Sequence, residues 1–89
     1  MLVLPQELTQ AQAGACLSML EQGMRSEAGD SVVVDASALD RFDSSALAVL
    51  LEFRRACLAL GKNFSIHALP PRLADLAALY GINELLVSA

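Results

Sequence analysis

The chain has 89 residues, a length that fits one domain. It is 55% hydrophobic but only 4% aromatic, so the core must be built mainly from Leu, Val and Ala; with 18% charged residues it reads as globular rather than disordered. A formal charge of −4, with Arg54-Arg55 as the one adjacent basic pair, argues against nucleic acid as a partner, because phosphate binding needs a concentrated basic surface.

At this size the buried fraction is modest, and added stability from a partner or a second copy is expected. Met1-Leu2-Val3-Leu4-Pro5 is too short and uncharged for a signal peptide, and no apolar run approaches the roughly 20 residues of a membrane span. Cys16 and Cys57 share no motif and fall at apolar helical positions, which reads as two buried thiols in a reducing compartment. The expected location is the cytosol.

In chain order, Met1 to Leu4 reads as a short strand, an edge candidate, stopped by Pro5. Thr9 opens a helix with Gln12 completing an approximate capping box, and Ala13, Cys16, Leu17, Leu20 and Met24 form its apolar face. Ser26 to Gly29 is a loop. Val32-Val33-Val34 predicts a central strand covered on both faces, with Asp35 at or near its end. Ala36 to Phe42 is a connection whose Leu39 and Phe42 turn inward.

A second helix starts near Asp43 or Ser44 and runs to about Leu60, with Gly61 as its stop. Leu47, Leu50, Leu51, Arg54 and Leu58 predict its sheet-facing side. Asn63 to Leu69 is a strand, with Phe64, Ile66 and Ala68 on one face. Pro70-Pro71 introduces a third helix with an apolar stripe of Leu73, Leu76, Ala77 and Tyr80, ended by Gly81. Ile82 to Val87 is an apolar tail that packs back or adds a small strand. The β-α-β-α-β-α order predicts an α/β domain over residues 1–89, with a mostly parallel sheet and helices packed on it.

Chemistry concentrates at the exit of the central strand, which brings Asp35, Asp40, Asp43, Ser44 and Ser45 together. Helix capping accounts for one residue of the Asp43-Ser44-Ser45 run, since a single side chain suffices to accept the orphaned N–H groups. A Ser44 nucleophile would need His67, the only histidine, as its base; no acidic neighbour in sequence orients His67, and no G-x-S-x-G elbow is present. Metal-ligand spacings and a Gly-rich phosphate loop are also missing. The chain is therefore expected to be non-catalytic, without cofactor or metal. On the side of the second helix away from the sheet, Ser44 or Ser45, Ala48, Glu52, Arg55 and Ala59 recur at helical spacing. Small residues there admit another backbone, and Glu52 and Arg55 can fix its orientation.

The segment Val32-Val33-Val34-Asp35-Ala36-Ser37-Ala38-Leu39, followed by Asp43-Ser44-Ser45-Ala46-Leu47-Ala48-Val49-Leu50, resembles the STAS family of anti-sigma factor antagonists and related regulatory modules. Two departures stand out. The chain starts about one strand late, and Ala46 replaces a usual Gly, which implies a less open approach to the helix. Arg72 to Gly81 and the brief tail are similar to the stand-alone, MlaB-like STAS subunit of Mla-type phospholipid ABC transporters.

That resemblance implies a regulatory or assembly subunit that binds the transporter's cytosolic ATPase, next to its permease, in a system maintaining outer-membrane lipid asymmetry. Membrane association would then be indirect. It puts the hydroxyl residue matching Ser44 near the ATPase contact, and with the outward helical spacing the expected partner surface is Ser44, Ser45, Ala48, Glu52 and Arg55. The alternative it implies is an anti-sigma factor antagonist switched by a serine kinase, with Asp43-Ser44 as the phosphorylation motif. A homodimer is a further alternative.

Overall fold

Strand and helix alternate as the apolar periods dictate. The computed structural model describes residues 1–86: β1 (Leu2–Val3), β2 (Glu7–Leu8), α1 (Gln10–Ser26), β3 (Ser31–Asp35), β4 (Arg41–Phe42), α2 (Ser44–Ala59), β5 (Asn63–His67), α3 (Pro71–Leu79) and a 3-10 turn, Asn83–Leu85. The main sheet runs β1-β3-β5, all parallel, with Leu2 opposite Val34 and Val34 opposite Ile66. Two main-chain bonds extend it past the strand ends, Leu4 N–H to the Asp35 carbonyl (2.9 Å) and Ala36 N–H to the His67 carbonyl (2.8 Å).

The connection from Ala36 to Phe42 is more ordered than expected. Arg41–Phe42 pairs in parallel with Glu7–Leu8, and the amides of Asp40 and Arg41 both reach the Gln6 carbonyl. Strands of two residues leave no period in a sequence, so this second sheet was invisible there. Its effect is to draw the start of α1 toward the start of α2.

The core lies on one face of the main sheet. Val32, Val34 and Ile66 are fully buried beneath the helices, while Val33 is half-buried and Val3 is 55% exposed. The expectation of a strand covered on both faces is thus corrected. Val33 lies opposite Ser65 and Asp35 opposite His67, so the second face is largely polar. Three consecutive Val residues cannot by themselves report which face is wet.

Helix α1 buries Cys16, Leu20 and Met24, with Ala13 and Leu17 at the margin. In α2 the buried set is Ala46, Leu47, Val49, Leu50, Phe53 and Cys57. This rotates the expected face by one residue, about 100° on a helical wheel, leaving Leu51 and Arg54 on the border and Leu58 47% exposed. Phe53 decides the rotation: it is fully buried and meets Phe64 edge-to-face at 6.0 Å. Burying one such ring is worth about 1.5–3 kcal/mol, more than half-covering Leu51 or Leu58 returns. Cys16 and Cys57 are buried free thiols, and burial pushes both thiols up from their ordinary values.

In α3, Leu73 and Ala77 are buried and Leu76 is half-buried. Tyr80 does not join the expected stripe; it caps the helix and is 60% exposed. Gly81 turns the chain at φ +73, and Leu86 packs back onto the core. The Ile82-to-Val87 tail therefore forms a 3-10 turn as far as it is described, with Val87 outside the described residues.

Strand β5 stops at His67, two residues short of the expected end, because Ala68 adopts φ +59. Pro70 forces Leu69 toward an extended conformation, so the reversal into α3 falls on Ala68, a residue with a Cβ in left-handed space. Replacing Ala68 with Gly should remove about 1 kcal/mol of strain and raise the thermal midpoint by a few degrees; an unchanged or lower midpoint would contradict the strain assignment.

Candidate functional site

The site grows from Asp43. As N-cap of α2, its Oδ1 accepts the Ser45 N–H at 2.8 Å. Its Oδ2 accepts the Gln10 N–H at 3.3 Å, and Gln10 is the first residue of α1. One carboxylate thus serves two helix N-termini, where orphaned N–H groups and both macrodipoles favour negative charge. The Ser45 N–H above all, with Gln10 assisting, holds the Asp43 carboxyl below the usual range. Beside it α1 is closed by its own cap: the Thr9 N–H and hydroxyl both donate to Gln12 Oε1 (2.8 and 2.7 Å), and Gln12 Nε2 donates to Glu7 (2.9 Å).

Arg72 ties the third helix to the same corner. Its guanidinium stacks over the Phe42 ring at 5.1 Å and donates to the Asp40 carbonyl at 3.3 Å. Nothing in the local sequence of Arg72 announced this role; only the pairing of β2 with β4 brings Phe42 within reach.

From this corner α2 presents an exposed ridge. Ser44, Ala48, Glu52 and Arg55 are exposed, while Ser45 is half-buried. Ala46 is fully buried and packs in the core, so it does not obstruct the surface, correcting the expectation of a less open approach. Glu52 and Arg55 face each other at 3.7 Å with both side chains well exposed, a weak pair.

Shallow clefts flank the ridge. Toward α1 a cleft of about 320 Å³ is lined by Ala13, Gly14, Leu17, Ala48, Val49 and Glu52. Toward α3 a second, of about 430 Å³, is lined by Ser44, Leu47, Ala48, Leu51, Tyr80 and Ile82. Beyond Leu51 a third, of about 520 Å³, reaches Arg54, Arg55, Leu58, Ala59 and Leu85. Large apolar side chains cluster here, with Leu58 47%, Tyr80 60% and Leu85 38% exposed. Met1, Val3, Met19, Leu60 and Leu79 are exposed outside these clefts.

The second polar cluster lies at the end of the main sheet. Asp35 accepts the Ser37 N–H at 2.9 Å, which is the main reason its carboxyl sits below the usual range; the hydroxyl of Ser37 and the nearby His67 add to it. His67 thus has an acidic neighbour after all, its register partner Asp35, which only the β3–β5 pairing reveals. Among the described residues no group of three or more His, Cys, Asp or Glu is arranged for a metal, and no helix is long and apolar enough to cross a membrane.

Because the folded-state pKa of Asp43 is depressed, its stabilisation is present above the unfolded-chain value of about 3.9 and is lost as pH falls through the folded value. Asp43→Ala should therefore melt below the wild type at pH 6, with the gap closing in acid. Equal melting at pH 6, followed by thermal scans of both proteins, would remove Asp43 from its bridging role.

The chain matches a family model described as "Mlab, STAS domain" over residues 1–88. A comparison with curated protein sequences finds no match. Among solved structures, the chain is similar to an anti-sigma-factor antagonist (STAS) domain protein from Planctomyces limnophilus, at TM-score 0.78 and 18% identity, over 97% of this chain and 77% of that one. That likeness is one of fold: a small α/β domain with parallel strands and three helices. With the family model spanning nearly every residue, the chain belongs to the MlaB-like STAS domain family.

Proposed function

We propose that this chain is a non-catalytic regulatory or assembly subunit that binds the cytosolic ATPase of an Mla-type phospholipid ABC transporter. STAS domains generally mediate protein–protein interactions, and the MlaB-like family membership favours this partner class. The observation that carries the reading is the α2 ridge: Ser44, Ala48, Glu52 and Arg55 exposed in line, with Ser45 at its margin and apolar clefts on both sides.

The mechanism follows from differential binding. A subunit seated on an ATPase shifts its conformational equilibrium only as far as it binds one arrangement more tightly than another. A rigid ridge suits that task, since little conformational entropy is lost on docking. The ATPase, together with the permease, would hold the subunit at the inner face of the membrane without membrane contact of its own.

A second reading rests on Ser44. It is the exposed first residue of α2 beside the Asp43 cap, and by the resemblance of its motif it matches the residue that a kinase phosphorylates in STAS antagonists. A serine kinase partner would add about −1.5 to −2 charge there and repel a surface built for a neutral hydroxyl. Intact-mass analysis after isolation from native cells distinguishes the two, since the transporter reading requires no phosphate.

Ala48→Arg places a long cation in the middle of the ridge without touching the core. It should abolish co-purification of the ATPase and lower its activity in membranes, while Ser18→Arg on the exposed part of α1 should not. Full co-purification by the Ala48 variant would show that the ATPase binds elsewhere.

A further inference from the structure

The two clefts on the α3 side of α2 share Leu51 and together follow the helix from Ser44 to Ala59. At 1.5 Å per residue, the 16 residues of α2 span about 24 Å. An apolar trough of that length and shallow section matches a single helix lying alongside, with its stripe of apolar residues filling the trough at i, i+3/i+4 and i+7. The trough is unequally charged along its length. Arg54 and Arg55 line the end near Leu58, and no charged residue lines the end near Ser44.

Those cations are available. Among the described residues Arg54 makes no ion pair, and Arg55 has only the long, exposed contact with Glu52. Glu52 lines the opposite cleft, and Glu84, next to Leu85, does not line this one. An incoming helix therefore gains by carrying carboxylates where it meets Arg54 and Arg55. Carboxylates are most favourable in a helix's first turn and cations in its last. A partner helix lying along the trough meets the first preference when it runs antiparallel to α2, with its acidic N-terminal turn at Arg54-Arg55.

We infer that the partner element received by the trough between α2 and the segment 80–85 is an amphipathic helix, antiparallel to α2, with an acidic first turn. This rests on the docking reading above and specifies what the partner must present. Apolar contact with Leu51, Leu58, Tyr80 and Leu85 supplies the affinity, and the charge gradient sets the direction.

The test uses the full chain and two synthetic helical peptides of about 16 residues, matching the length of α2. Both carry the same Leu/Ala stripe; one has Glu in the first turn and Lys in the last, and in the other these are exchanged. Titration calorimetry should show the Glu-first peptide binding at least roughly fivefold more tightly at low salt, a preference that high salt erases. In R54E/R55E, the preference should invert. Equal binding of both peptides, or binding of neither, overturns the inference, and so does a preference that survives unchanged in the milder R54Q/R55Q, since it would then come from the peptides' own helicity.

Concentration-dependent dimerisation abolished by Leu58→Arg would assign the trough to a second copy and would likewise overturn it. The docking reading fails separately. If the ATPase is captured but R54E/R55E retains it fully, only the acidic-helix inference falls, whereas failure of the wild-type chain to capture any ATPase removes the reading itself.

Discussion

A single carboxylate sets the geometry on which the rest depends. Asp43 accepts backbone N–H groups from the first turns of both α1 and α2, so the two longest helices are fixed at a common origin. Because β2 pairs with β4 directly before those helices, the corner is held from the main chain as well as from the side chain. Arg72 then brings the start of α3 to the same place through Phe42 and the Asp40 carbonyl. Three helices diverging from one corner leave clefts between them, and α2, in the middle, becomes the ridge.

The composition explains why that ridge is apolar. With few aromatics and a sheet covered on one face only, the core is assembled from medium and small side chains around Phe53 and Phe64. A domain this small buries a limited share of its surface, and part of its apolar inventory has to lie outside. Leu58, Tyr80 and Leu85 border the trough beside α2, while Met19, Leu60 and Leu79 are exposed outside it.

Much of this was legible in the sequence. The helical periods of α1 and α3, the Asp43 cap and the glycine turn at Gly81 follow from local chemistry, and so does the identity of the outward residues Ala48, Glu52 and Arg55. What local chemistry could not supply is anything set by distant partners. The rotation of α2 depends on Phe53 meeting Phe64, which the period of Leu residues masks. The two-residue strands exist only by pairing with each other, and the second donor to Asp43 is 33 positions away. Ala68 in a left-handed conformation was hidden because alternation alone continues the strand through it.

The central claim is that the α2 ridge and its trough form the face covered by the partner. Hydroxyl-radical footprinting of the complex isolated from native membranes tests it most directly, since it reads side-chain exposure residue by residue. The account predicts strong protection of Leu58 and Tyr80 relative to the free chain, with Met1 and Val3, exposed at the edge strand, unchanged. Protection of Met1 and Val3 with Leu58 and Tyr80 still reactive would place the partner on the sheet edge and contradict it.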